Sequence, residues 1–223
     1  MLSITEIKQT SAERFTLLFS DGREVKTSLG VITDKFLHAG LEITEDEYKE
    51  IYAASTLSLA KSRALKIINT RPMSKKEMRD RLIEKGEDPD NAALCADWLC
   101  EMGLINDESY AGSVVRHYAA KGYGESRIRQ ELNRHGIPRE LWDSALEEMP
   151  EQDEYLERFI RTRLHNSNDR AEVRKLSDAL FRRGYSWEQI KHALNYCLLL
   201  QKWLKPGQTS RCRQTRLNLR PVG

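Results

Sequence analysis

The residues of this chain best suited to chemistry are lysines and arginines gathered at three places. Residues 74–86 hold Lys75, Lys76, Arg79, Arg81 and Lys85 against three acids, and residues 124–136 hold Arg127, Arg129 and Arg134 against two. Residues 170–184 hold Arg170, Arg174, Lys175, Arg182 and Arg183 against two acids. Such clusters suit a phosphate backbone, because each cation that neutralises a phosphate releases condensed counterions. A solvated surface with internal ion pairs, each worth about 0–1 kcal/mol, accounts for the same residues. Charge alone leaves both readings open.

Reaction chemistry finds less support. No glycine-rich run ends in Gly-Lys-Ser or Gly-Lys-Thr, and there is no His-Glu-x-x-His and no Gly-x-Ser-x-Gly. Gly122-Tyr123-Gly124 lacks a third glycine and a preceding strand, so it reads as a helix–helix turn. His38, His117, His135, His165 and His192 are scattered over different elements and read as surface or partly packed side chains. Cys95, Cys100, Cys197 and Cys212 form no CxxC pair and no metal-ligand spacing. Reduced, buried or idle thiols are expected, and with them a cytoplasmic location. No catalytic residue, metal ligand or cofactor site is expected, and the chain reads as a non-enzyme. Trp98, Trp142 and Trp187 each lie in the closing helix of a unit described below. Packing between helices explains them, with stacking on bases as the sharper alternative.

The elements that carry the cations follow from an internal repeat. Gly86, Gly136 and Gly184 each have an apolar residue eight positions before them (Met78, Ile128, Leu176) and a leucine four before (Leu82, Leu132, Leu180). That spacing places both on one helical stripe, and a glycine is the usual residue for the left-handed stop that follows. A further helix starts after each glycine: Pro89 and Pro138 suit a first turn, and Ser186 with Gln189 forms a capping box. Opening helices are expected near Leu59–Ile68, Glu108–Ala120 and Asp153–Leu164. Three helices repeated three times predict a mainly α protein, an elongated solenoid-like body of tandem three-helix units. Stacked units would set the basic middle helices along one positive edge. The closing helices are acidic in the first two units and neutral in the third.

The first residues have another texture. Ile4–Ile7, Phe15–Phe19 and Arg23–Thr27 read as strands, the last two joined by a two-residue turn at Asp21-Gly22. A short helix over Leu29–His38 is expected to end at Gly40, and Thr44-Glu45-Asp46-Glu47 is a capping box that opens a helix running, or restarting, to Ile68. The expected division is a small β-containing extension over 1–54, repeats over 55–105, 106–150 and 151–204, and a basic, disordered tail over 205–223. Of 223 residues, 31% are charged and 39% hydrophobic. The net charge of +2 says nothing about nucleic acid, because it sums an acidic start and a basic end. No apolar run approaches the roughly 18 residues of a membrane span, and Met1–Glu6 lacks the blocks of a secretory signal.

Two stretches carry a family resemblance. Ser74-x-x-Glu77-Met78-Arg79-x-x-Leu82-x-x-Lys85-Gly86 is followed by Leu99-x-x-Met102-Gly103-Leu104-Ile105-Asn106-Asp107-Glu108-x-Tyr110-Ala111. Together with Arg127-Ile128-x-x-Glu131-Leu132-x-x-x-Gly136-Ile137 and Ala145-Leu146, this resembles the RecX family of bacterial recombinase regulators over residues 55–195. Asn106 stands where the family usually has aspartate, and either residue caps the coming helix. The resemblance implies a monomeric regulator in DNA recombination, repair and the SOS response. Its implied partner is the filament of the recombinase RecA on single-stranded DNA. It would lie along the filament groove and lower ATPase and strand-exchange activity, touching DNA directly or through the filament. The residues offered for that contact are Lys75, Lys76, Arg79, Arg81, Arg127, Arg129, Arg134, Arg174, Lys175, Arg182 and Arg183. The alternatives are a stand-alone DNA-binding protein and a helical interaction scaffold.

Overall fold

A computed structural model describes residues 2–164 and 169–203. The tail expected over 205–223 lies outside them, as do His165 and Cys212. Among the described residues, there are one four-stranded antiparallel sheet and ten α-helices, the first of which lies between the third and fourth strands.

Strands β1 (Leu2–Ser11), β2 (Arg14–Phe19), β3 (Glu24–Ser28) and β4 (Glu42–Ile43) lie in the order β3-β2-β1-β4. Alternate residues Leu2 and Ile4, and Leu17 and Phe19, point to one buried face, as the two-residue period of a strand requires. The β2–β3 connection is one residue longer than expected. Phe19 N–H donates to the Arg23 carbonyl and Gly22 N–H to the Phe19 carbonyl, with Gly22 at φ 86°, which makes a three-residue loop. Helix α1 (Leu29–Asp34) stops well before Gly40. Phe36 takes the left-handed position itself, at φ 52°, and Leu37 N–H closes back onto the Ile32 carbonyl. That early stop turns Leu37 into the core of the sheet.

Helix α2 (Glu45–Ile68) opens on Thr44 with the expected capping box and runs unbroken across positions 54 and 55. Its first half contributes Ile51 to the core of the sheet, and its second half contributes Ala60 and Ala64 to the core of the first repeat. The helices that follow are α3 (Lys75–Glu84), α4 (Pro89–Glu101), α5 (Asp107–Ala120) and α6 (Glu125–Arg134). A 3-10 turn (Arg139–Leu141) then leads into α7 (Trp142–Glu147). The last three are α8 (Asp153–Arg163), α9 (Arg170–Arg182) and α10 (Trp187–Trp203). Pro89 sits in the first turn of α4 as expected, whereas after Pro138 the chain forms the 3-10 turn before α7 begins.

The three middle helices α3, α6 and α9 end alike. Gly86, Gly136 and Gly184 have φ of 85°, 66° and 93°. In each case the glycine N–H and the next N–H bond back to the last turn: Glu87 to Leu82, Ile137 to Leu132, Tyr185 to Leu180. This is the six-to-one closure of a Schellman stop, made three times by the same sequence positions. The stripe residues Met78, Leu82, Ile128, Leu132, Leu176 and Leu180 are all buried.

The residues gather into two compact units: 1–118 with 128–149, and 119–127 with the described residues from Pro150 on. The core of the second unit is built from Leu156, Ile160, Leu176, Leu180, Tyr185 and Ile190. There Gly122-Tyr123-Gly124 proves to be a packing site: Gly124 N–H donates to the Arg183 carbonyl and Ser126 N–H to the Gly184 carbonyl. No described helix is long and apolar enough to cross a membrane.

Candidate nucleic-acid interface

In the first unit the cations of α3 border a groove of about 340 Å³ whose lining includes Lys75, Lys76, Arg79, Ala96, Gly136 and Pro138. Ser74 fixes the start of the helix through a capping box with Glu77, so the first turn projects Lys75 and Lys76 together. They then diverge in use. Lys75 donates its backbone N–H to Asp107 and pairs its ammonium with Asp97, which raises its pKa. Lys76 lays its stem against Gly136, where a Cβ would come within 2.9 Å of its own Cβ. Its ammonium enters no ion pair among the described residues and remains available to an outside anion. Arg79 is exposed, with only the neighbouring Asp80 at 3.7 Å, and Arg81 is half-buried without an ion pair among those residues.

The cations of α6 are placed differently. Arg129 pairs with Asp143 at 2.9 Å, and Arg134 pairs with the buried Glu131 at 2.8 Å while donating to the Tyr118 hydroxyl. Arg127 is also engaged. In the second unit, Arg174, Lys175 and Arg182 on α9 are exposed and enter no ion pair among the described residues. Arg183 is spent on the fold. Its guanidinium donates to the carbonyls of Lys121 and Gly122 and to the Tyr155 hydroxyl, and it lies 5.0 Å from the centre of the Phe159 ring. The eleven residues offered from the sequence therefore divide. Lys76, Arg81, Arg174, Lys175 and Arg182 enter no ion pair among the described residues and Arg79 only the 3.7 Å approach of Asp80, whereas Lys75, Arg127, Arg129, Arg134 and Arg183 have partners in the fold.

Sequence reasoning missed a polar junction inside the first unit. The Glu77 carboxylate lies 3.1 Å from His135 Nδ1, accepts from the Tyr110 hydroxyl at 3.2 Å and faces Arg71 at 3.5 Å. Ser74 donates to the His135 carbonyl. Burial pushes the Glu77 carboxyl up, but its bonds to His135 and Arg71 outweigh burial and leave it below the usual carboxylate range. Burial and the facing carboxylate push the Tyr110 phenol up to about 12. Ser74 and Glu77 have the spacing of a capping box, but nothing local joins them to His135.

It also missed an aromatic site. Trp98 packs against the first-repeat core, and Trp142 donates its indole N–H to the Ile137 carbonyl. Trp187 departs from the packing expectation: it is 63% exposed and meets Phe181, also 63% exposed, with ring centres 6.3 Å apart. An apolar residue three before the repeat glycine, off the buried stripe, was the available signal. Among the described residues no group of His, Cys, Asp and Glu is placed to hold a metal ion.

Three family models match in sequence: the first RecX three-helix domain over 60–99, the second over 106–146 and the third over 151–194. The regulatory protein RecX of Xanthomonas axonopodis pv. citri (strain 306) is 34% identical over 61% of this chain and 86% of its own length. That of Vibrio parahaemolyticus is 31% identical over 64% and 94%. A crystal structure of regulatory protein RecX superposes with a TM-score of 0.70 over 87% of this chain and 100% of that one, at 22% identity. RecX from Lactobacillus salivarius superposes with a TM-score of 0.57 over 66% and 99%, at 24% identity. These superpositions agree with the tandem three-helix fold, and the sequence matches carry the relationship. The chain belongs to the RecX family of regulatory proteins.

Proposed function

We propose that this protein binds the filament of the recombinase RecA on single-stranded DNA, along its groove, and inhibits recombinase and ATPase activity. The observation that carries this reading is the set of exposed cations on α3 and α9, Lys76, Arg79, Arg174, Lys175 and Arg182, with no ion pair among the described residues beyond the 3.7 Å approach of Asp80 to Arg79. Unpaired cations cost little to bring to phosphates, since no internal partner has to be given up first. The protein acts without chemistry of its own in this reading; the ATPase belongs to the partner. Its working parts are the β-containing extension over 1–54 and the repeats over 55–105, 106–150 and 151–204.

A second reading, a stand-alone duplex-reading protein, would insert closing helices into a groove as recognition helices. Helix α4 carries Asp90, Asp97 and Glu101 and no base, which opposes that mode. The test is affinity at matched salt for filament, free recombinase and bare single strand. Tighter binding to filament than to either component is expected; equal affinity for filament and bare strand would end the filament reading.

A further inference from the structure

In the second unit, α9 and α10 flank a groove of about 320 Å³. Its floor is mostly apolar, formed by Val173, Ile190 and Leu194 with Ser177, whose hydroxyl is turned to the Val173 carbonyl, and its rim carries Trp187, Lys191 and Asn195. At the Trp187 end the indole meets the Phe181 ring edge to face, at 72° between planes. Two aromatic side chains left this open to water are costly unless something covers them in the working state. Each ring has a cation on its own helical face. Arg174 precedes Phe181 by two turns, and Lys191 follows Trp187 by one. Arg182 is adjacent to Phe181 in sequence. None of the three enters an ion pair among the described residues, although Asp178 and Glu188 lie nearby in sequence.

We propose that Phe181 and Trp187 form a stacking platform for the unpaired bases of a single-stranded nucleic acid, with Arg174, Arg182 and Lys191 taking the adjoining phosphates. Exposed aromatic faces interleaved with cations are what a single strand offers partners to: every base has a π-face, and every nucleotide a charge. A duplex keeps its bases stacked on each other and gains nothing from the rings. A protein helix would fill the apolar floor but would leave the rim cations unmatched unless it were acidic. Asn195, at the groove edge, adds both a donor and an acceptor for a base edge. The platform rests on the DNA-facing part of the reading above and names how the strand is held.

The test compares an end-labelled oligothymidylate with an abasic strand of equal length, by fluorescence anisotropy with the full chain at one low salt concentration. The intact protein is expected to bind oligothymidylate about ten-fold more tightly, as one stacked base commonly supplies. Phe181→Ala with Trp187→Ala should abolish that preference and leave abasic binding unchanged, while Trp187→Phe should keep most of it. Both rings are exposed, so the circular dichroism spectrum should not change. Equal binding of the two strands by the intact protein overturns the platform, as does a preference that survives in the folded double variant. So does a double variant whose defect lies only in self-association or in binding recombinase without DNA, because the groove then holds protein. A chain that prefers filament but does not discriminate between the strands loses the platform alone. A chain that discriminates between the strands without preferring filament loses the filament reading alone.

Discussion

The Glu77 carboxylate, at the start of α3, stands 3.1 Å from Nδ1 of His135, 58 residues later at the end of α6. The first turn of one basic helix is thereby tied to the last turn of the next, and the capping box is part of the tie. Because the folded state holds the Glu77 carboxyl below its ordinary value of 4.5, its contribution to stability is present above that pH. It is lost as pH falls through the lower folded value. Glu77→Gln should lower the unfolding free energy by about 1–2 kcal/mol at pH 7, from the charge lost in its contacts with His135, Arg71 and Tyr110, since glutamine can still close the capping box. Urea unfolding of both proteins across pH 3–7 checks this. The gap should narrow below the ordinary carboxylate value, and a gap independent of pH would refute the assignment.

The repeat glycines share one backbone role but differ in surroundings. At Gly86 an added Cβ meets open space, so Gly86→Ala should cost only the left-handed conformation, about 1–2 kcal/mol. At Gly184 the same atom would sit 2.3 Å from Arg127 N, which is backbone and cannot step aside. Gly184→Ala should therefore cost at least twice as much, read as a larger drop in melting temperature. Similar drops at both positions would argue against the packed turn of Gly122–Ser126 on α9.

Cations with and without partners should separate in a salt titration. Replacing Lys76 and Arg79 by Gln is expected to weaken filament binding and to lower the slope of log affinity against log salt by about 0.7 per lost single-strand phosphate contact. Arg129→Gln should leave the slope unchanged and cost at most about 1 kcal/mol of stability, since its partner Asp143 is exposed. A slope change for Arg129 equal to that for Lys76 would void the division drawn between α3 and α6.

Much of this was legible because its causes are local. The stripe of Met78 and Leu82 with Gly86, and its two copies, specify helix, buried face and stop within nine residues. Thr44 with Glu47, and Ser186 with Gln189, announce helix starts that form as read. What the sequence hid depends on residues brought together from a distance or on a choice among turns. Leu37 enters the core only because Phe36 accepts a left-handed backbone. The two-residue strand β4 exists only by pairing with Leu2 and Ser3. Arg129 turns its guanidinium to Asp143, fourteen positions on, and Arg183 turns its to Tyr155 and two loop carbonyls. A tally of charges over 124–136 or 170–184 cannot register either contact. Trp187 looked like its counterparts Trp98 and Trp142, but its offset from the repeat glycine turns it outward.

The thiols should behave as packed side chains. Burial pushes the Cys95 thiol up to about 11, and Cys197 is raised for the same reason. Both should resist a thiolate-seeking reagent at pH 8 in the native protein and react on unfolding. Rapid native labelling at Cys95 would contradict the packing of α4 against α2.

If the cations of α3 and α9 let the protein restrain a recombinase filament, the restraint is read by following DNA-dependent ATP hydrolysis by that filament while titrating this protein. The comparison is a variant carrying Lys76→Glu, Arg79→Glu, Arg174→Glu and Lys175→Glu. The intact protein should lower the rate, and the variant, folded by circular dichroism, should need more than about ten times as much protein for the same effect. An unchanged rate with the intact protein, or equal potency of the two, would contradict it.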